Sequence, residues 1–87
     1  MAKLYAVTVR DEAVQAFNRP FFVNALGMAV RSFEDECNRR DDNNAMRNHP
    51  KDFSLWHVGF YDEDTARLES LDVPVRLCDA SSVVLTD

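Results

Sequence analysis

The stretch RPFFVNALGMAVRSFEDECNRR, Arg19 to Arg40, decides the fold, because within it the hydrophobic spacing turns from extended to helical. Leu26, Ala29, Val30, Phe33 and Cys37 recur every three or four residues, while Arg31, Glu34, Asp35 and Asn38 fall on the opposite side. The spacing predicts one amphipathic helix over about 24–39, with Asn24 as its N-cap. Pro20 holds Arg19 in extended geometry, so Phe17, Phe21 and Phe22 read as parts of a lead-in loop tucked against the core. Arg31 with Asp35 and Glu36 with Arg40 stand at i,i+4 spacing, each pair worth about 0.2–0.5 kcal/mol on a helix surface.

On the N-terminal side, Leu4, Ala6 and Thr8 alternate with Tyr5, Val7 and Val9, which predicts a strand over about 3–9. Asp11 to Asn18 reads either as one helical turn or as a loop pinned by Phe17. On the C-terminal side, DDNNAMRNHP is rich in residues that bond their own backbone, and residues 40–52 are expected to form an exposed, mobile connector. Phe53 to Tyr61 predicts a strand with Phe53, Leu55, His57, Gly59 and Tyr61 on one face and Ser54, Trp56, Val58 and Phe60 on the other. Asp62 to Thr65 makes a polar reversal. Strands over about 66–71 and 73–78 follow, the last placed at an edge by Pro74. Residues 80–87 form a tail in which Val83, Val84 and Leu85 add a short strand or dock on a neighbour. The fold class is therefore α+β: one amphipathic helix on a small, mainly antiparallel sheet of three to four strands, in a single domain over 1–87.

With 87 residues the core is thin. No apolar run reaches the ~20 residues of a membrane-spanning helix, so no membrane partner is expected. The net charge of −5 is uneven: residues 1–61 hold eight acidic and eight basic side chains, whereas 62–87 hold seven and two. Within the balanced part, Arg39, Arg40, Arg47 and Lys51 crowd one short stretch, where a phosphate backbone is met locally; a solvated polar loop accounts for them equally well.

Catalytic and metal chemistry find no support. Cys37 and Cys78 stand apart from each other and from any histidine pair, which gives no metal-ligand spacing, and no metal or cofactor is expected. Asp62, Glu63 and Asp64 are contiguous acids of a turn rather than groups converging on one bond. Gly27 and Gly59 form no phosphate loop, and Ser81 and Ser82 have no nucleophile setting. The chain does not read as an enzyme.

One helix covers only one face of a sheet, yet aromatics lie on both sides of the 53–61 strand. The uncovered face then meets a second subunit, a nucleic-acid base or a partner protein.

The words RPFFVNALGMAVRSFEDECNR and NHPKDFSLWHVGFYDEDTARL, with KLYAVTVRDEAVQAF before them, resemble the small nonstructural protein of gokushoviruses, the tailless single-stranded-DNA bacteriophages of the Microviridae. The likeness covers Lys3 to Leu68. It rests on PFF, on the AVRSF of the helix, and on His49, Pro50, Asp52, Phe53, Leu55, Gly59, Asp62 and Thr65 in that order. The resemblance implies a non-virion protein made during infection in the host cell cytoplasm. Such a protein binds single-stranded DNA or governs the passage from duplex replication to single-strand synthesis and packaging; no active-site residue carries over.

On the leading expectation, Arg39, Arg40, Arg47 and Lys51 neutralise phosphates, Arg19 and Arg31 extend the track, and Trp56 stacks a base. The alternative is a homo-oligomeric protein–protein adaptor with Trp56 and Phe60 in its interface. Its acidic C-terminal part would meet a basic replication or assembly protein.

Overall fold

The computed structural model describes residues 3–85. In chain order these form β1 (Lys3–Asp11), β2 (Ala16–Phe17), β3 (Phe21–Val23), α1 (Leu26–Asn38), α2 (Ala45–Asn48), a 3-10 turn (Pro50–Asp52), β4 (Phe53–Asp62), β5 (Arg67–Asp79) and α3 (Ala80–Val83). The sheet is antiparallel throughout and ordered β2-β1-β4-β5, with β3 pairing farther along β1 on the β2 side. It is an α+β fold, with α1 laid across one face of the sheet.

Cross-strand partners share a face, so the register assigns every side chain. Val7 opposes His57 and Val9 opposes Leu55, and with Phe53 these form the face that meets Ala29, Phe33 and Cys37 of α1 and Ala80 of α3. Leu55, Val7, Cys37, Ala29 and Ala80 are fully enclosed. Val23, Leu26, Val30, Met46, Leu77 and Val83 close the cluster's rim.

The strict alternation expected along β4 fails at Val58. Ala6 pairs with Gly59 and Val7 with His57, so one residue of β4 is extra, a β-bulge that reverses the facing of everything beyond it. Phe53, Leu55, His57 and Phe60 therefore share the helix side; Ser54, Trp56, Gly59 and Tyr61 share the other. On the helix side Tyr5, His57 and Phe60 make a three-ring cluster, with centroids 5.4, 5.3 and 5.1 Å apart. His57 Nε2 donates to the Gly59 carbonyl at 2.9 Å, bridging the bulge from within the core.

The two strands expected at 66–71 and 73–78 are one. β5 runs thirteen residues beside β4, its two ends facing Asp62 and Ser54. Continuity survives because His57 pairs with Val75 and Gly59 with Ser70, leaving Leu71 to Pro74 bowed out opposite Val58 alone. β5 is an edge strand, so Pro74 costs no ladder bond.

Three further expectations need correction. The helix starts later than Asn24: pairing of Val23 with Tyr5 keeps the backbone extended, and Ala25 becomes an N-cap with no side-chain bond. The 40–52 connector is not loose. Buried Asn44 ties it down, its Nδ2 donating to the carbonyls of Glu36 (2.7 Å) and Arg39 (3.0 Å) while its Oδ1 accepts from the Met46 N–H, capping α2. Phe17, Phe21 and Phe22 are not tucked in but 42, 36 and 43% exposed, because β2 and β3 are outermost strands. The 80–87 tail docks rather than pairing: Asn38 Nδ2 donates to the Val83 carbonyl at 3.0 Å, and Asn38 Oδ1 accepts from the Leu85 N–H at 2.6 Å. Its last two residues, Thr86 and Asp87, lie outside the described residues.

A methyl added at Gly59 would sit 2.2 Å from the Glu69 carbonyl oxygen, a backbone atom that cannot yield without opening the β4–β5 ladder. Gly59→Ala is expected to lower stability by about 2 kcal/mol or more; an unchanged urea midpoint would refute this. Burial, aided by Cys78 and Glu36, pushes the Cys37 thiol from 9.0 up to about 11. The unfolded chain then loses its thiol proton first, so stability falls as pH rises between about 9 and about 11. Cys37→Ala should flatten that part of a urea-midpoint profile.

Candidate functional site

The helix-free face carries the chemistry most concentrated on the surface. Arg10 of β1 pairs with Phe17 of β2, and its guanidinium lies 5.0 Å above the Phe17 ring. Phe17 meets Trp56 edge-on, with centroids 5.8 Å apart and planes at 84°. Trp56 pairs with Arg76 of β5, whose guanidinium stands 5.4 Å from the indole centre. The result is a row across the sheet of cation, ring, ring and cation. The outer guanidiniums are held by carboxylates at their backs: Arg10 Nε reaches Glu12, and Arg76 Nε reaches Asp79 at 2.9 Å.

The indole is oriented as well as packed. Its Nε1–H donates to Ser54 Oγ at 2.8 Å, and Ser54, two residues back on the same face, is 1% exposed. Farther along, Phe22 and Tyr61 form a second ring pair at 5.4 Å. Two aromatic stations thus lie on one face, separated along the strands by the small residues Ala6 and Gly59, which oppose each other in the register.

The basic residues expected to contact phosphate are dispersed rather than gathered. Arg39 is clasped by carboxylates: Glu36 lies at 2.8 Å and Asp41 at 2.8 Å, and the bonds it donates to Glu36, then Asp41, hold its guanidinium proton beyond the ordinary arginine range. Glu36, expected to pair with Arg40, takes Arg39 at least. Arg47 donates to the Asn38 carbonyl at 3.2 Å. Arg40 and Arg47 do meet, but in a polar cleft of about 480 Å³ that they share with Asp41, Asp42 and Asn48. Lys51 lines a separate hollow with Asn48, His49 and Asp52. Arg31 is exposed on α1, with the sheet between it and Trp56, and the expected Arg31–Asp35 pair is not formed. Arg19 is exposed beside Pro20 and makes no hydrogen bond or ion pair among the described residues.

Trp56 and Phe60, expected in one interface, point to opposite faces across the bulge. Phe60 belongs with Tyr5 and His57, under the Lys3 ammonium at 5.9 Å. The residues missed in the sequence are Arg10, Phe17 and Arg76. A signal for two of them existed: continuing the β1 alternation two residues past Thr8 puts Arg10 on the Ala6 face, and a tight turn at Glu12 to Gln15 returns Phe17 to it. Only Gln15 at φ 54 makes that turn close, and a glutamine does not announce it. Arg76 depends on the bowed segment of β5, which no local pattern encodes.

Cys37 and Cys78 are free thiols, and both are pushed up chiefly by burial. Among the described residues, no three metal-ligating side chains converge, and no helix is long and apolar enough to cross a membrane.

A family model described as Phage ORF5 protein matches residues 4–83. No curated protein matches the chain, and no solved structure does.

Asp41 accepts the Asn43 N–H and faces Arg39, in that order of influence, and its carboxyl is held below the usual range. An NMR titration of Arg39→Ala is therefore expected to raise the Asp41 midpoint only part of the way toward the ordinary value of about 3.9, since the Asn43 bond persists. Full return would show that the arginine is the main cause.

Proposed function

The chain belongs to the Phage ORF5 protein family, and on that premise we propose that it is a nonstructural accessory protein of a gokushovirus-type phage that binds single-stranded DNA. It acts in the host cytoplasm, during genome replication or the switch to single-strand synthesis and packaging. The observation that carries the reading is the Arg10–Phe17–Trp56–Arg76 row on the helix-free face. Unpaired bases stack on exposed rings, each worth ~1–3 kcal/mol, without needing a particular sequence. Bases inside a duplex offer no such face. The arginines beside the rings then reach phosphates on either side of a stacked base.

The net charge of −5 limits affinity but not the mode of binding. The seven acids of residues 62–87 include the reversal at Asp62 to Asp64 and the partners of Lys3 and Arg76, so much of that charge is already turned to local use. Arg10, Arg19 and Arg76 are few, so binding rests on stacking more than on phosphate contact.

A second reading has its own support. Leu68, Val73 and Val75 are 71, 72 and 49% exposed on β5, whose outer edge is unpaired, a surface suited to a second copy or to a replication or assembly protein. In that adaptor reading, contacts through Trp56 and through Phe60 are two different interfaces.

Titration of labelled poly-dT should show binding that weakens with salt at a slope of about −2, as expected for about three phosphate contacts at ~0.7 each. Trp56→Ala should weaken it about tenfold, and Arg10→Ser with Arg76→Ser should flatten the slope. No binding at micromolar protein in low salt overturns the reading. A stable oligomer by light scattering that Val73→Asp dissolves would favour the adaptor instead.

A further inference from the structure

Between the two aromatic stations lies a slot that shares the Phe22 ring with the second. The cross-sheet row Phe22, Ala6, Gly59, Ser70 runs over β3, β1, β4 and β5 in direct register, and its two central members are the smallest residues in the sheet. A hollow of about 180 Å³ follows that row, walled by Pro20 and Phe22 at one end and by Leu68 and Ser70 at the other. Its size is well under the roughly 300 Å³ at which drug-sized ligands are held, so it suits one flat ring system rather than a whole nucleotide. At the bulge the floor is backbone alone: the β5 main chain at Glu69 and Ser70 stands where a Gly59 side chain would go.

One end of the slot carries a cation: Arg19 adjoins Pro20, is exposed, and makes no hydrogen bond or ion pair among the described residues. The one carboxylate at the rim, Glu69, is neutralised by Lys3, whose Nζ lies 3.2 and 3.3 Å from its two oxygens.

We propose that this slot is a nucleobase pocket: one unpaired base of a single strand lies edge-in over Ala6 and Gly59 against the Phe22 ring, with a flanking phosphate at Arg19. The inference deepens the single-strand reading and rests on it, adding a base held in a pocket to the bases stacked on rings. It makes binding depend on the presence of bases and on one small side chain, Ser70, whose hydroxyl is the polar group of the β5 wall.

The test compares a labelled dT oligomer with an abasic strand of equal length, which keeps every phosphate. The abasic strand is expected to bind at least tenfold more weakly. Ser70→Leu, on an exposed edge strand, fills the slot and should cut dT affinity about tenfold while leaving abasic binding and the melting temperature unchanged. Equal dT affinity in wild type and Ser70→Leu overturns the pocket yet leaves the stacking reading, which Trp56→Ala tests, intact. Backbone-amide NMR with thymidine 5′-monophosphate decides the pocket even if polymer binding fails. Shifts centred on Ala6, Gly59 and Ser70 support it; their absence at millimolar nucleotide overturns it. A Ser70→Leu protein that changes oligomeric state by light scattering assigns the slot to a second copy, and equally overturns it.

Discussion

The extra residue at Val58 is the constraint on which the rest depends. It sets Gly59 against Ala6 and His57 against Val7, and so divides the aromatics of β4 between two faces that strict alternation would have assigned otherwise. Each neighbouring feature accommodates it. Gly59 is required because the Glu69 carbonyl occupies the Cβ position; His57 bonds the Gly59 carbonyl from inside the core; and β5 bows out over Leu71 to Pro74 because its partner strand has no regular ladder there. A bulge unsatisfied in this way would leave buried polar groups without partners, at about 1–3 kcal/mol each.

The division of faces also separates two kinds of surface. α1 takes the side that packs, where aliphatic and aromatic groups from β1, β4 and α3 close a core around Leu55 and Val7. The other side keeps rings half in water, with guanidiniums over them and a serine orienting the indole. A core residue gains by losing water; a ring held open by a neighbour's edge stays available. Arginines of both regions are held by carboxylates, but Arg10 and Arg76 also lie over rings, whereas Arg39 and Arg47 tie the 40–52 segment to the end of α1.

Much of the architecture was legible in the sequence where spacing is local. The run Leu26, Ala29, Val30, Phe33, Cys37 specified the helix and its buried face, and Lys3 to Val9 and Phe53 to Tyr61 specified the two central strands. What escaped is non-local. The bulge arises from pairing with β1, the joining of two strands into β5 from an edge that tolerates Pro74, and the anchoring of the connector from one asparagine reaching the end of a helix five and eight residues earlier. The aromatic row was half visible: Trp56 stands out in any reading, but Phe17 and Arg76 reach it only through a turn and a register shift. The clustered cations, conspicuous as a run, do not act as one patch: Arg40 and Arg47 share a cleft with acids, Arg39 is clasped by carboxylates and Lys51 lines another hollow.

The pairing of Leu4 with Tyr61 has a consequence for how the protein comes into being. The central ladder joins Lys3–Asp11 to Phe53–Asp62, far apart in the chain, so neither half of the chain holds a core of its own. As the polypeptide leaves the ribosome at roughly 5–20 residues per second, β1 waits for several seconds as an unpaired, valine-rich strand with only β2 and β3 for company. That interval is when it is open to the wrong neighbour. Wherever many copies are made at once, the first partner β1 meets can be another newborn chain, and the yield of folded protein is then set by synthesis rate and crowding rather than by the stability of the finished fold.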